Sequence, residues 1–195
     1  MKFLGIFMAL MLLAGCGRSA PTNYYLLEGQ SELVKTDRMP KKSLRIAQVE
    51  VADYLNRNNI VSRVQGETKL ILAEFHLWAE PVSNGVRRVL EETLTGPLLR
   101  DGITVLPASS ESRNNYTLLV DIQRLDGNFD EKAVLESRWT LLNEDERPVE
   151  RGLFTAEEMV NGADYNILVQ VESKLVRDLG EYLAKALPPL MAVKR

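Results

Sequence analysis

Cys16 is the only cysteine of the chain, and the residues before it, Leu13-Ala14-Gly15, are the kind that give it a chemistry. Small side chains ahead of a cysteine form a lipobox: they let a signal peptidase approach the backbone, and the thiol takes up a diacylglycerol. Upstream, Lys2 supplies a positive start, and Phe3–Leu13 is an apolar run. At about a dozen residues the run fits a signal-peptide h-region (roughly 7–15) and falls short of the ~20 needed to span a bilayer. Residues 1–15 are therefore read as a cleaved signal peptide, residues 16–23 as a lipidated tether and residues 24–195 as a single globular periplasmic domain. Two or more acyl chains hold a protein stably on a membrane, at ~0.8 kcal/mol per buried methylene. Gly17 stands where an aspartate would commonly retain a lipoprotein in the inner membrane, so the default is the inner leaflet of the outer membrane. With no second cysteine, neither an intramolecular disulfide nor a cysteine-based metal site can form.

Other reactive patterns are scarce. The chain has one histidine, His76, so a histidine-rich metal centre is impossible and a serine–histidine pair could use only that residue. No Gly-x-Ser-x-Gly elbow, His-Glu-x-x-His or glycine-rich phosphate loop occurs. Glu91-Glu92, Asp130-Glu131 and Glu157-Glu158 are adjacent carboxylates, but neighbours on a helix or strand do not face a common point. They read as solvated charge. The expectation is no catalytic residue, no metal and no cofactor other than the covalent lipid on Cys16. A net charge of −3 with no basic stripe argues against nucleic acid.

With 45% hydrophobic and 26% charged residues, the remainder is ordinary globular material. Cleavage leaves about 180 residues, a length that suits one domain. Strands are expected at Tyr24–Glu28, Leu44–Val51, Ile60–Val64, Leu70–Glu80 and Ile103–Leu106, and loops at Ser31–Ser43 and Ala52–Asn59. In Leu70–Glu80 the alternation places Ile71, Ala73, Phe75, Leu77 and Ala79 on a core face. Glu74, His76, Trp78 and Glu80 share the other, where Trp78 must either pack under another element or be exposed. A helix is expected from Asn84 to Thr95, stopped or kinked at Gly96-Pro97. Three period-two segments follow, joined by the polar turns Asp126-Gly127-Asn128 and Asn143–Pro148. In the first, Tyr116, Leu118, Val120 and Ile122 share a face. In the second it is Ala133, Leu135, Ser137, Trp139 and Leu141; Val149–Met159 is a weaker third. The last helix runs from Tyr165 to Leu187, capped by Asp164 and stopped by Pro188-Pro189. This order predicts an α+β fold: a single mixed, largely antiparallel sheet with two amphipathic helices packed on it.

Several short motifs occur in a telling order: Tyr24-Tyr25-Leu26-Leu27 soon after the lipobox, then Val49-Glu50-Val51-Ala52-Asp53-Tyr54-Leu55, then Arg57 and Ile60-Val61. Trp78-Ala79-Glu80-Pro81 closes a strand before an amphipathic helix. Together, along nearly the whole mature chain, these resemble the ABC-type transport auxiliary lipoprotein family, in its paraquat-inducible protein C branch. The resemblance implies a non-enzymatic outer-membrane lipoprotein of a lipid-trafficking machine. Its partner would be an MCE-domain protein anchored in the inner membrane, which provides the passage across the periplasm. Docking on a ring-shaped MCE assembly would favour a homo-oligomer of this chain too.

The candidate interaction surface is Trp78, Glu80 and Pro81, with Tyr54 and Leu55 as a second patch, because aromatic residues on otherwise polar faces serve as interface anchors. The alternatives are a lipoprotein that scaffolds or activates cell-wall synthesis, a hydrolase, and a body with an apolar lipid cavity.

Overall fold

The computed structural model describes residues 20–32, 34–35, 39–64, 66–107, 109–110 and 115–192. The expected signal peptide, Cys16 and the first part of the tether lie outside the described residues. The elements are β1 (Asn23–Tyr25), β2 (Lys42–Ile46), β3 (Glu50–Val51), β4 (Asn59–Arg63), β5 (Leu70–Trp78), α1 (Val82–Arg100), β6 (Ile103–Leu106), β7 (Tyr116–Asp126), β8 (Lys132–Asn143), β9 (Pro148–Met159) and α2 (Tyr165–Ala192).

Among the described residues the class is α+β, with two helices as expected, but the strands form two sheets rather than one. A six-stranded sheet runs β6-β2-β7-β8-β9 with β3 also on β7, and a three-stranded sheet runs β1-β5-β4. The split starts at the expected Leu44–Val51 strand. Its two pieces both lie parallel to β7, but the register slips by one residue between Ile46↔Leu118 and Glu50↔Asp121. A tight turn then carries the chain off the sheet, with Leu55 N–H donating to Ala52 O and Asn56 N–H to Asp53 O. The next hairpin, β4–β5, pairs with β1 instead. The two sheets touch where Arg63 N–H donates to Gly127 O at 2.9 Å.

β7, β8 and β9 form an antiparallel meander. Its alternation matches the expected faces: Leu118, Val120, Ile122, Ala133, Leu135, Trp139 and Leu141 are all buried. α2 lies over this meander, α1 packs on β6 and β3, and the two helices press on each other. A Cβ on Gly180 would stand 2.8 Å from the Thr93 side chain, so glycine permits the close helix approach. At Gly152 a Cβ would stand 2.5 Å from the Trp139 indole, which occupies the space that residue leaves open.

Both helices run past their expected stops. α1 continues through Pro97 to Arg100, and α2 through Pro188 and Pro189 to Ala192. An interior proline costs about 3 kcal/mol; burying one leucine or methionine offsets about 1.5–3 kcal/mol of that. The extra turns place Leu98 and Met191 in the core, 0% and 1% exposed. The Met191 carbonyl is also tied down, accepting from Tyr116 OH at 3.1 Å and from the Lys42 ammonium. At the other end of α2, Asp164 caps as expected: its Oδ1 accepts from Asn166 N–H at 2.9 Å.

Candidate docking rim and the ionic cluster beneath it

The two patches singled out in the sequence are neighbours. Trp78 N–H donates to Asn58 O at 2.6 Å, and Asn59 stands opposite Leu77. The 53–58 turn and the end of β5 thus form one rim. Its exposed residues are Asp53, Asn56, Arg57, Asn58, Ala79 and Pro81.

Of the expected surface residues, Pro81 is exposed on that rim but Trp78 and Leu55 are not. Trp78 is 7% exposed and Leu55 3%, both in the core. The cause is a break in the alternation of β5. Between Asn59↔Leu77 and Val61↔Leu72, β4 advances two residues and β5 five. Such an irregularity turns the bulged strand over, so Ala73 and Trp78, on opposite faces in the sequence pattern, are both buried. The supposed core face does not hold either: Ile71 is 40% exposed, and Phe75 and Leu77 are only half-buried and lie outside the core cluster.

Glu80 is half-buried and engaged. Its Oε1 accepts from Arg88 Nη2 at 2.8 Å, and the same nitrogen donates to Leu27 O at 2.8 Å. This bond to Glu80 is the main reason the Arg88 guanidinium is held above its ordinary pKa. Pro81 is exposed at the head of α1, its carbonyl accepting from Asn84 and Gly85 N–H.

Tyr54 leads inward to a group the sequence did not signal. Its OH donates to Asp126 Oδ2 at 2.7 Å. Asp126 is fully buried and also accepts from Arg63 Nε at 3.1 Å and Arg124 Nε at 2.8 Å. Both guanidiniums reach solvent, 26% and 30% exposed. The Arg63 guanidinium stands 5.5 Å from the centroid of the Tyr54 ring. Burial, then donation to Asp126, raises the Tyr54 phenol far above its ordinary range. One carboxylate thereby joins the rim (Tyr54), the small sheet (Arg63) and the end of β7. In the sequence Asp126 reads as a turn residue before Gly127, and two of its three partners, Tyr54 and Arg63, lie more than 60 positions away.

Glu172 was missed as well, although its position could have revealed it. It sits four residues from both Leu168 and Val176, inside the apolar stripe of α2. It is 1% exposed, and its Oε2 has no hydrogen-bond partner among the described residues. Burial, and then the charge of Asp126, raises its pKa well above the ordinary carboxylate value.

His76 is engaged in packing. Its Nδ1 lies 2.8 Å from Tyr25 OH, and its ring stacks on Tyr165 with centroids 4.1 Å apart. Among the described residues no group of three or more His, Cys, Asp or Glu side chains could hold a metal ion. No described helix is long and apolar enough to cross a membrane. The groove between the C-terminal halves of the helices is open and lined by Arg100, Asp101, Glu181 and Lys185 among others, which does not make an apolar lipid cavity.

Comparison with known proteins gives a consistent picture. Residues 24–184 match the family model described as the ABC-type transport auxiliary lipoprotein component. The chain is 30% identical over 165 residues to the intermembrane transport lipoprotein PqiC of Escherichia coli (strain K12), covering 84% of this chain and 85% of that protein. The Shigella flexneri PqiC matches to the same extent. Among solved structures, an uncharacterized protein superposes with a TM-score of 0.72 at 22% identity, over 86% of this chain and 99% of the other. A Xanthomonas campestris protein superposes with a TM-score of 0.70 at 16% identity, over 87% and 97%. These two similarities speak to the fold.

Proposed function

The chain belongs to the ABC-type transport auxiliary lipoprotein family, and on that premise we propose that it is the lipid-anchored, non-enzymatic outer-membrane subunit of an intermembrane lipid transport system, docking an MCE-domain protein of the inner membrane. The observation that carries this reading is the family match over residues 24–184, together with 30% identity to an intermembrane transport lipoprotein. The lipobox supports it independently. Lipidation at Cys16 would leave seven residues before β1, at most about 25 Å of extended chain. A body held that close to one leaflet cannot reach a second membrane, so a partner must cover the distance. No step of this role needs chemistry from the chain. The docking element is the rim: exposed at Asp53, Asn56, Arg57 and Pro81, the first three of them polar, and held in shape from below by Trp78, Leu55 and the Asp126 cluster.

Photocrosslinking in intact cells tests the proposal. A photoreactive residue at position 81 is expected to capture an MCE-domain protein, and one at exposed Leu153, on β9, is not. Capture of a cell-wall synthase from position 81 would replace this reading with a cell-wall scaffold.

A further inference from the structure

Four large apolar side chains are exposed on or beside the three-stranded sheet: Tyr24 at 65%, Leu26 at 48%, Ile71 at 40% and Leu72 at 45%. Tyr24 stands opposite Leu77 in the parallel β1–β5 pair, while the next residues, Tyr25 and Trp78, turn to the core. The outward side of this pair is therefore Tyr24 and Leu77, with Leu26 and Phe75 at the alternate positions. Leu77 and Phe75 are half-buried without joining the core cluster. None of the four carries a charge. A contiguous apolar side of this kind marks a contact surface.

The place of β1 in the chain indicates what covers it. Asn23 opens β1 seven positions after Cys16, so β1 is the first described element that a lipid on Cys16 would draw towards the membrane, within about 25 Å. Its outward tyrosine combines an apolar ring with a hydroxyl, the combination that suits the headgroup level of a bilayer. We propose that the outward side of the β1–β5 pair (Tyr24, Leu26, Phe75 and Leu77) rests on the lipid leaflet that holds the Cys16 anchor. This inference rests on the lipidation reading above and adds an orientation to it: the small sheet faces the membrane.

The cysteine count makes the test clean. In the anchored protein the Cys16 thiol is consumed by the lipid, so a cysteine introduced by Tyr24→Cys, Phe75→Cys or Leu153→Cys is the sole site for an environment-sensitive fluorophore. The lipidated full chain is placed on phosphatidylethanolamine–phosphatidylglycerol vesicles containing acyl-chain nitroxide lipids. Variants are used only where the buried Trp78 and Trp139 keep native emission. At positions 24 and 75 the fluorophore is expected to shift to the blue and lose most of its emission to the nitroxide. At position 153, whose leucine is 74% exposed on the other sheet, neither change is expected. Emission at 24 and 75 as water-like and unquenched as at 153 would overturn the proposal. A blue shift there without quenching would also overturn it, assigning the surface to a second copy or another protein. Vesicle flotation separates the two levels: failure to float removes the anchor and this face with it, whereas flotation without quenching removes only the face.

Discussion

Replacing Glu172 by glutamine tests whether the core really holds a protonated acid. Glu172 is 1% exposed, one carboxyl oxygen lacks a partner among the described residues, and burial, then the charge of Asp126, raises its pKa well above the ordinary 4.5. Below pH 4.5 the group is protonated in the folded and the unfolded chain alike, so it imposes no pH-dependent penalty. Above 4.5 the unfolded chain ionises while the folded one stays neutral. The favourable contribution is thus complete below the unfolded value and is lost as pH rises towards the raised folded value. Across that window the loss is about 1.4 kcal/mol per pH unit. Glutamine has nearly the same shape and cannot ionise, so Glu172→Gln should remove that slope. With a urea m-value of about 2 kcal/mol/M for a chain of this size, the wild-type midpoint should fall by roughly 0.7 M per pH unit relative to the variant. Trp78 and Trp139, 7% and 4% exposed, report the transition by fluorescence between pH 4 and 8. Any constant offset from changed hydrogen bonding leaves the slope untouched. Wild-type and variant midpoints that run parallel across this range would refute the reasoning.

The Asp126 cluster should behave as one unit. Asp126→Ala leaves two part-exposed guanidiniums without their carboxylate and should cost about 3 kcal/mol, at the low end for a broken buried pair because both cations reach solvent. Tyr54→Phe alone should cost about 1 kcal/mol, and the double variant should cost no more than Asp126→Ala; additive losses in denaturant titrations would show that Tyr54 acts elsewhere. At the proline inside α1, Pro97→Ala restores a backbone donor and should stabilise the fold by about 1–3 kcal/mol, read as a rise in thermal midpoint. A fall would mean that Pro97 packs in a way that burial of Leu98 does not explain.

What was legible in the sequence was whatever a contiguous stretch decides. The β7–β8 faces follow from strict alternation in a meander whose turns are short, and Asp164 caps α2 through a bond to its own second neighbour. The helix ends were misread because the cost of Pro97 and Pro188 is local whereas the gain from Leu98 and Met191 is tertiary. The single sheet was misread for a related reason. Whether Ile60–Val64 stays with the large sheet or pairs with β5 in the small one depends on a one-residue slip near Ala47–Val49, which no periodicity records.

The same division explains the candidate site. Trp78 and Tyr54 were chosen as surface anchors because they interrupt polar faces, yet one irregularity in β5 turns Trp78 inward, and a carboxylate 72 positions away holds Tyr54. The rim that remains exposed has few large side chains of its own. Its shape comes from the residues beneath it: Leu55 in the core, Trp78 N–H on Asn58 O, and Tyr54 on Asp126. Under the proposed docking role, Trp78, Leu55 and Tyr54 would thus position the turn rather than touch a partner. Loss of Asp126 should then weaken capture from position 81 even though Asp126 itself is fully buried, and it should do so in proportion to the loosening of the 53–58 turn.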